Sequence, residues 1–241
     1  NSLKGPTPEH PLGTDQFGRD IFSRLIYGAR TAALVAFSTT LISLIIGTSV
    51  GTWAGLRGGR ADQFLMWISD LVQSVPSLLL VMLINSALRR PIVNWFDKLY
   101  QQTRNPVFLN TTWLDFVLVF SALALVAWPG LARLIRGQVL SVSEEDYVMA
   151  ARSLGASERH IMLHHVIPNS LGPLIVAVTA SMGGAVVLEA GLSFLGIGIT
   201  EPLISWGLMM RNTHDIQSLG QNTWILTPIA FIVACLYCPG W

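Results

Sequence analysis

Apolar residues fall along the chain in long runs separated by short charged stretches, and five runs approach the roughly 20 helical residues that cross a bilayer. Thr31 to Leu56 carries no charge, Gln63 to Leu88 only Asp70, and Phe116 to Ala132 none, its last turn continuing towards Arg133 and Arg136. Val166 to Leu188 is uncharged, with Glu189 marking its far end. Ile216 to Trp241 is uncharged but interrupted by Pro228 and Pro239, which leaves Thr223 to Tyr237 as the usable helix. The pattern predicts an all-α integral membrane protein with five spanning helices in residues 31–241, preceded by a polar segment, residues 1–30. A second polar stretch, 89–110, lies between the second and third spans and reads as an excursion outside the membrane.

Between the third and fourth spans lies Ser141 to Ile167, too charged for lipid and too apolar for a plain loop. At helical spacing Tyr147, Val148, Ala151 and Leu154 share a face, while Glu144, Glu145, Asp146 and Arg152 spread around the rest, which describes a short helix lying against another surface. Ser143 is suited to cap its start, with Asp146 where a capping box puts its acidic partner, and the three acids complement the positive end of the helix dipole. Gly155 can take the left-handed conformation that ends a helix, Ser157 can cap a second one, and Pro168 is expected to stop that one. A helix, a tight turn and a second helix follow.

Inside the spans, Gly47, Gly51 and Gly55 recur every four residues on one helix face. That spacing lets two backbones approach closely where lipid supplies no hydrophobic drive, and predicts a packing face. Gly183 and Gly184 serve the same end or let the fourth span bend. Asp70 is the sharpest polar feature, because a carboxylate at membrane depth is costly without a partner or water. Two readings stand: it snorkels or pairs with Arg60 or with an arginine of a neighbouring helix, or it lines a pathway or gate. Pro76 removes a backbone hydrogen bond and predicts a kink, and Trp128, Pro129 and Gly130 predict a second break in the next span. Asp70, Pro76, Trp128, Pro129 and Glu189 are therefore the candidate pathway or gate residues.

Composition supports the membrane class: 51% of residues are hydrophobic and 12% charged, against about 25% charged in soluble domains. The 15 Lys and Arg against 14 Asp and Glu give no basic surplus that would recommend nucleic acid as a partner. Cys235 and Cys238 form a CxxC within an apolar run without a second pair and read as two packed thiols. His160 and His164 are spaced i and i+4, but Ile161 stands where the zincin pattern needs Glu; no metal site is expected, and these rings, with His165, are expected to meet helix termini, headgroups or a docked subunit. Lys4 and Lys98, the chain's two lysines, are not in a phosphate-binding loop. If the chain pumps, another polypeptide hydrolyses the nucleotide. A secondary transporter or channel would show paired inverted repeats or several intramembrane charges, and an intramembrane enzyme would need a catalytic constellation where Asp70 stands alone.

The Ser141 to Ile167 segment resembles the cytoplasmic Glu-Ala-Ala loop of ABC-importer permeases: Ala150, Ala151, Gly155 and Pro168 fall on that pattern, while Met149 replaces its Glu and Ile167 its Leu. HPLGTDQFGRDIFSRLIYGAR (His10 to Arg30), VPSLLL (Val75 to Leu80), WPGLARLIRGQVL (Trp128 to Leu140), HVIPN (His165 to Asn169) and LSFLGIGI (Leu192 to Ile199) resemble the dipeptide, oligopeptide and nickel branch. Within it the chain is most similar to the second permease subunit of dipeptide importers. The resemblance implies the type I ABC-importer permease fold and a transport subunit, not an enzyme, in the plasma membrane of a bacterium or archaeon. It places the 57–62 and 141–168 loops in the cytoplasm and residues 1–30 and 89–110 outside, an orientation that six basic residues on one side and nine on the longer loops of the other do not decide. It implies that Glu145, Asp146, Tyr147, Ala150, Ala151, Leu154 and Gly155 dock onto an ATPase subunit. The implied partners are a second permease subunit in a heterodimer, two ATP-binding cassette subunits that bind ATP and Mg, and an extracytoplasmic solute-binding protein. The cargo by analogy is a peptide, with nickel or another small solute as alternatives. The chain opens without the features of a signal peptide, and family members usually carry one more helix before the GTDQFGRD stretch, so a further N-terminal helix and a longer C-terminal segment are expected in the native protein.

Overall fold

Asp20 starts the first helix: its Oδ2 accepts the Ser23 N–H at 2.8 Å, satisfying one of the donors a helix start leaves open. Helix α1, Ile21–Arg57, therefore begins ten residues before the expected span and runs 37 residues, roughly 55 Å at 1.5 Å per residue. It ends at Gly58, with φ +57°. The computed structural model describes residues 2–105, 112–211 and 222–237. Among these the elements are helical, apart from one isolated antiparallel bridge between Thr14 and Asp20.

The second expected span is broken. α2, Gly59–Ser74, and α3, Ser77–Thr103, meet at 91°. The cause is Pro76: the residue before a proline is pushed out of the helical region, and Val75 is extended at φ −96°, ψ 133°. Of the polar stretch read as an excursion, residues 89–103 instead continue α3, with Pro91 inside the helix; residues 106–110 lie outside the described part. α4, Thr112–Ser143, is one unbroken helix through Pro129, so the expected second break is not an interruption.

Two short helices, α5 (Asp146–Ser153) and α6 (Glu158–Ile161), lead through a π-helical turn, Met162–Val166, into α7, Ile167–Phe194. α7 passes beyond Glu189, which is not its far end. α8 is Trp206–Arg211, and a 3₁₀ turn, Thr223–Leu226, leads into α9, Thr227–Tyr237. Among the described residues, α1, Phe116–Ser143 of α4 and His164–Phe194 are long and apolar enough to cross a membrane, and the bent α2–α3 pair makes a fourth span if counted as one. The fifth expected span is an apolar helix too short to qualify, Thr223–Ala234. Cys238 lies outside the described residues.

α1 and α4 run parallel in closest contact. A Cβ on Gly47 would stand 2.7 Å from Leu131 Cβ, one on Gly51 would collide with the Ala132 carbonyl oxygen, and one on Gly55 would stand 2.7 Å from Val139 Cγ1. The three glycines are thus the packing face expected of them. α7 runs antiparallel to this pair: its late residues Val186 and Ala190 join Leu25, Ala32 and Ala36 of α1 in one core cluster, while its early Leu174 packs with Leu56, Val139 and Val142 in another. A third cluster joins Val81 of α3 to Val119 and Leu123 of α4. The start of α1, the end of α7 and the N-terminal segment therefore share one end of the bundle. The Arg57–Asp62 turn and the α5–α6 hairpin share the other.

Candidate functional site

The hairpin between α4 and α7 is built from its turn outwards. Gly155, at φ +86°, donates to the Arg152 carbonyl at 3.0 Å, and Ala156 donates to the Ala151 carbonyl at 3.0 Å. These two bonds are the pair that closes a helix over a left-handed glycine. Ser157 Oγ accepts the His160 N–H at 3.3 Å, as expected of a cap. Ser143 is not a cap. It is the last residue of α4, and Glu145 holds the N-cap position of α5 without a side-chain bond. Pro168 does not stop a helix either: it stands in the first turn of α7, where a missing N–H is tolerated, directly after the π turn in which Ile167 donates to the Met162 carbonyl.

The apolar face predicted for α5 is divided. Val148 is fully buried against Ile135, Val139, Ile161 and Val166, which fixes the helix to the bundle. Tyr147 and Met149 are about half exposed, and Leu154 is 89% exposed. Ala151 is intermediate, while Glu145, Asp146, Ala150 and Gly155 are exposed. Arg152 and Glu158 bridge the two short helices at 3.2 Å. Asn169 of α7 donates to Tyr147 Oη at 3.0 Å and to the His165 carbonyl at 2.7 Å. His160 and His164 stack with ring centroids 4.1 Å apart, and His164 Nδ1 lies 3.1 Å from the His160 carbonyl oxygen.

The candidate pathway residues occupy two settings. Asp70 is exposed and pairs with Arg133 of α4 at 2.5 Å, while Arg133 also donates to Gln73 at 2.6 Å. This is the neighbouring-helix arginine of the first reading rather than Arg60. Pro76 is also exposed, at the break. Trp128 and Pro129 are buried within α4. Glu189 is 1% exposed and accepts the Ser193 hydroxyl at 2.6 Å and the Ser205 hydroxyl at 2.8 Å. Sequence reading missed a second ion pair, Arg136 to Asp62, made by two bonds of 2.5 and 2.6 Å. Asp62 lies in the first turn of α2 and Arg136 about two turns before the end of α4, with no spacing in the sequence that would link them.

At the opposite end, Asp15 Oδ1 accepts the N–H groups of Phe17 and Arg19, both at 2.9 Å, and Arg19 pairs with Asp15 at 2.8 Å and Glu201 at 2.9 Å. Burial works against the Arg19 charge, but these carboxylates outweigh it and hold the guanidinium above its ordinary value. At Asp20 burial works to raise the carboxyl, and the bonds from Ser23 and His10 win, holding it below its ordinary value.

Three comparisons bear on this arrangement. Residues 47–239 match the family described as the binding-protein-dependent transport system inner membrane component. The chain is 33% identical over 238 residues to the oligopeptide transport system permease protein OppC of Bacillus subtilis, covering 98% of this chain and 70% of that protein. It is 37% identical over 219 residues to the dipeptide transport system permease protein DppC of Alkalihalophilus pseudofirmus, covering 90% and 64%. It is 36% identical over 213 residues to the probable D,D-dipeptide transport system permease protein DdpC of Escherichia coli, covering 88% and 63%. The chain thus spans about two thirds of the length of these relatives. Among solved structures, an inward-facing MetNI methionine ABC transporter matches with TM-score 0.68 at 17% identity, over 91% of this chain and 93% of that one. An amino acid ABC transporter with histidines matches with TM-score 0.53 at 18% identity, over 89% and 94%. The fold is that of type I ABC-importer permeases.

Proposed function

The chain belongs to the binding-protein-dependent transport inner membrane component family, and from that membership we propose that it carries one half of the path by which an ATP-driven importer moves peptides across a bacterial or archaeal plasma membrane. The other half comes from a second permease subunit. An extracytoplasmic binding protein delivers cargo to the end that holds the N-terminal segment, and two ATPase subunits, which bind the ATP and Mg, engage the α5–α6 hairpin. The names of the similar permeases, which are oligopeptide and dipeptide systems, support peptide as the cargo.

The observation that carries the docking role is the exposure of Leu154, 89%, at the end of a helix that the buried Val148 locks to the bundle. An exposed leucine on a rigid, short, polar-flanked helix is surface that a partner can bury, worth about 1.5–3 kcal/mol when fully covered. Glu145, Asp146, Tyr147, Ala150, Ala151 and Gly155 complete the surface. The ion pairs Arg133 to Asp70 and Arg136 to Asp62 tie α2 to α4, so a push on the hairpin reaches the broken α2–α3 pair through α4. The test is uptake of a labelled dipeptide into proteoliposomes carrying this chain with its partner subunits. Uptake that requires ATP, both permeases and the binding protein is expected; uptake driven by an ion gradient without the ATPases would overturn the reading.

A further inference from the structure

Glu189 stands in the last two turns of α7 and is 1% exposed, a placement that is costly for a carboxylate unless its oxygens are engaged. Among the described residues no cation pairs with it, and its polar partners are two serine hydroxyls. A hydroxyl has one proton to give and lone pairs to receive, and both serines use the two roles. Ser193 donates to Glu189 Oε1 at 2.6 Å while its oxygen accepts the Ile199 N–H at 3.0 Å. Ser205 donates to the same Oε1 at 2.8 Å while its oxygen accepts the Gly207 N–H at 3.1 Å. Both serines are buried. One carboxylate oxygen thus ends two relays that begin on backbone N–H groups eight residues apart.

The two relays hold the two roots of one loop. Ile199 and Ser205 are buried, and between them Glu201 and Pro202 are exposed at the tip. Ile199 packs with Val35, Val81 and Leu192, and the neighbouring Ile197 carbonyl accepts the Asn85 side-chain N–H of α3. Past the second root, Trp206 Nε1 donates to the Leu25 carbonyl of α1 at 3.0 Å. Arg19 of the N-terminal segment reaches Glu201 at 2.9 Å. α1, α3, α7 and the N-terminal segment therefore meet on this loop, at the end of the bundle that receives cargo on the importer reading, on which the inference rests. Without Oε1 two buried hydroxyls lose their acceptor, and a buried donor left unpaired is costly. We propose that Glu189 is a positioning residue: its Oε1 fixes both roots of the Thr200–Ile204 tip and, through the tip, the surface that this end offers to the binding protein. A charge in the path would have to be a carboxylate, whereas this role needs only an acceptor oxygen at the same reach, which glutamine supplies.

The test follows amide hydrogen exchange, resolved to single residues by mass spectrometry, in the assembled complex in lipid nanodiscs. Ser205→Ala is expected to speed exchange at Gly207 at least tenfold and to leave Ile199 protected, and Ser193→Ala to do the reverse. Glu189→Met is expected to speed both, and Glu189→Gln to keep both within threefold of the unaltered protein. In ATP-driven uptake, Ser205→Ala and Glu189→Met should raise the binding-protein concentration at half-maximal rate threefold or more, with the maximal rate changed less than twofold, and Glu189→Gln should restore it. A Glu189→Gln complex that exposes both amides, or that does not assemble, would overturn the proposal, because the charge would then be required. So would serine variants in which both amides stay protected, or an unchanged half-saturation where protection is lost. If Glu189→Met does not assemble, the serine variants and Glu189→Gln decide without it. The exchange pattern needs no transport: uptake that ignores ATP and the binding protein counts against the importer reading and leaves the pattern standing.

Discussion

Gly155 turns the hairpin at φ +86° with nothing within 4 Å of the position a Cβ would take. The obstacle to a side chain there is backbone conformation, about 1–2 kcal/mol for an ordinary residue in the left-handed region. Gly155→Val is therefore expected to leave membrane insertion intact and to reduce substrate-stimulated ATP hydrolysis in the reconstituted complex, while Gly155→Asn, a residue that tolerates this region, keeps most of it. At the other end of the bundle, Asp20 caps α1 with its carboxyl held below the ordinary range, so its charge stabilises the fold above a pH of about 4 and that stabilisation is lost as pH falls through the depressed value. Asp20→Ala is expected to cost about 1 kcal/mol near neutral pH, read as a lower thermal midpoint, and the gap from the unaltered protein should narrow in acid. Gly155 and its turn were legible because glycine's need for positive φ is local. The partner of Asp70 was legible only as a class, since the bond to Arg133 joins residues 63 positions apart with no spacing rule between them. Glu189 lies inside α7 rather than at its end, and of its two partners Ser193 is four residues on in the same helix while Ser205 returns from beyond the helix end, where no spacing rule points to it.

Among the elements, α1 and α4 meet through Gly47, Gly51 and Gly55, whose four-residue period marked a packing face without identifying the helix it would meet. The expected consequence separates packing from propensity. Gly51→Val should destabilise the assembled bundle by about 1–3 kcal/mol through overpacking, whereas Gly130→Ala, with nothing within 4 Å of the added Cβ, should be neutral or mildly stabilising. Thermal unfolding of the two variants in the same lipid would show it, and equal midpoints would contradict the close approach. The spans themselves were legible from hydropathy, but their breaks were not. An apolar run reads alike whether it crosses straight or turns 91°, and Pro76 could be read only as a kink. Pro129 is the same residue type inside an unbroken helix, in the stretch of α4 that packs against Gly47 and Gly51 of α1. The continuation of α3 to Thr103 escaped notice since polar residues on a helix outside the hydrocarbon look like a loop.

At the scale of the whole molecule, the bundle separates two ends. One holds the N-terminal segment and the loop after α7, and the other holds the hairpin, with α4 running the full distance between them. Large apolar side chains such as Phe37, Leu83, Ile175 and Val176 face outwards along the spans, a surface for lipid or for the second permease. The central claim is that the hairpin is where ATPase subunits attach, and capture of those subunits by the tagged permease in lipid measures it most directly, with ATPase rate read alongside. Ala151→Glu and Leu154→Glu each place a charge on the surface to be covered without touching the Val148 anchor, and a desolvated, unpaired charge at an interface costs several kcal/mol. Both variants are expected to insert and pair with the second permease normally while capturing at least tenfold less ATPase and losing stimulation by substrate. Full capture and full stimulation in both would contradict the claim.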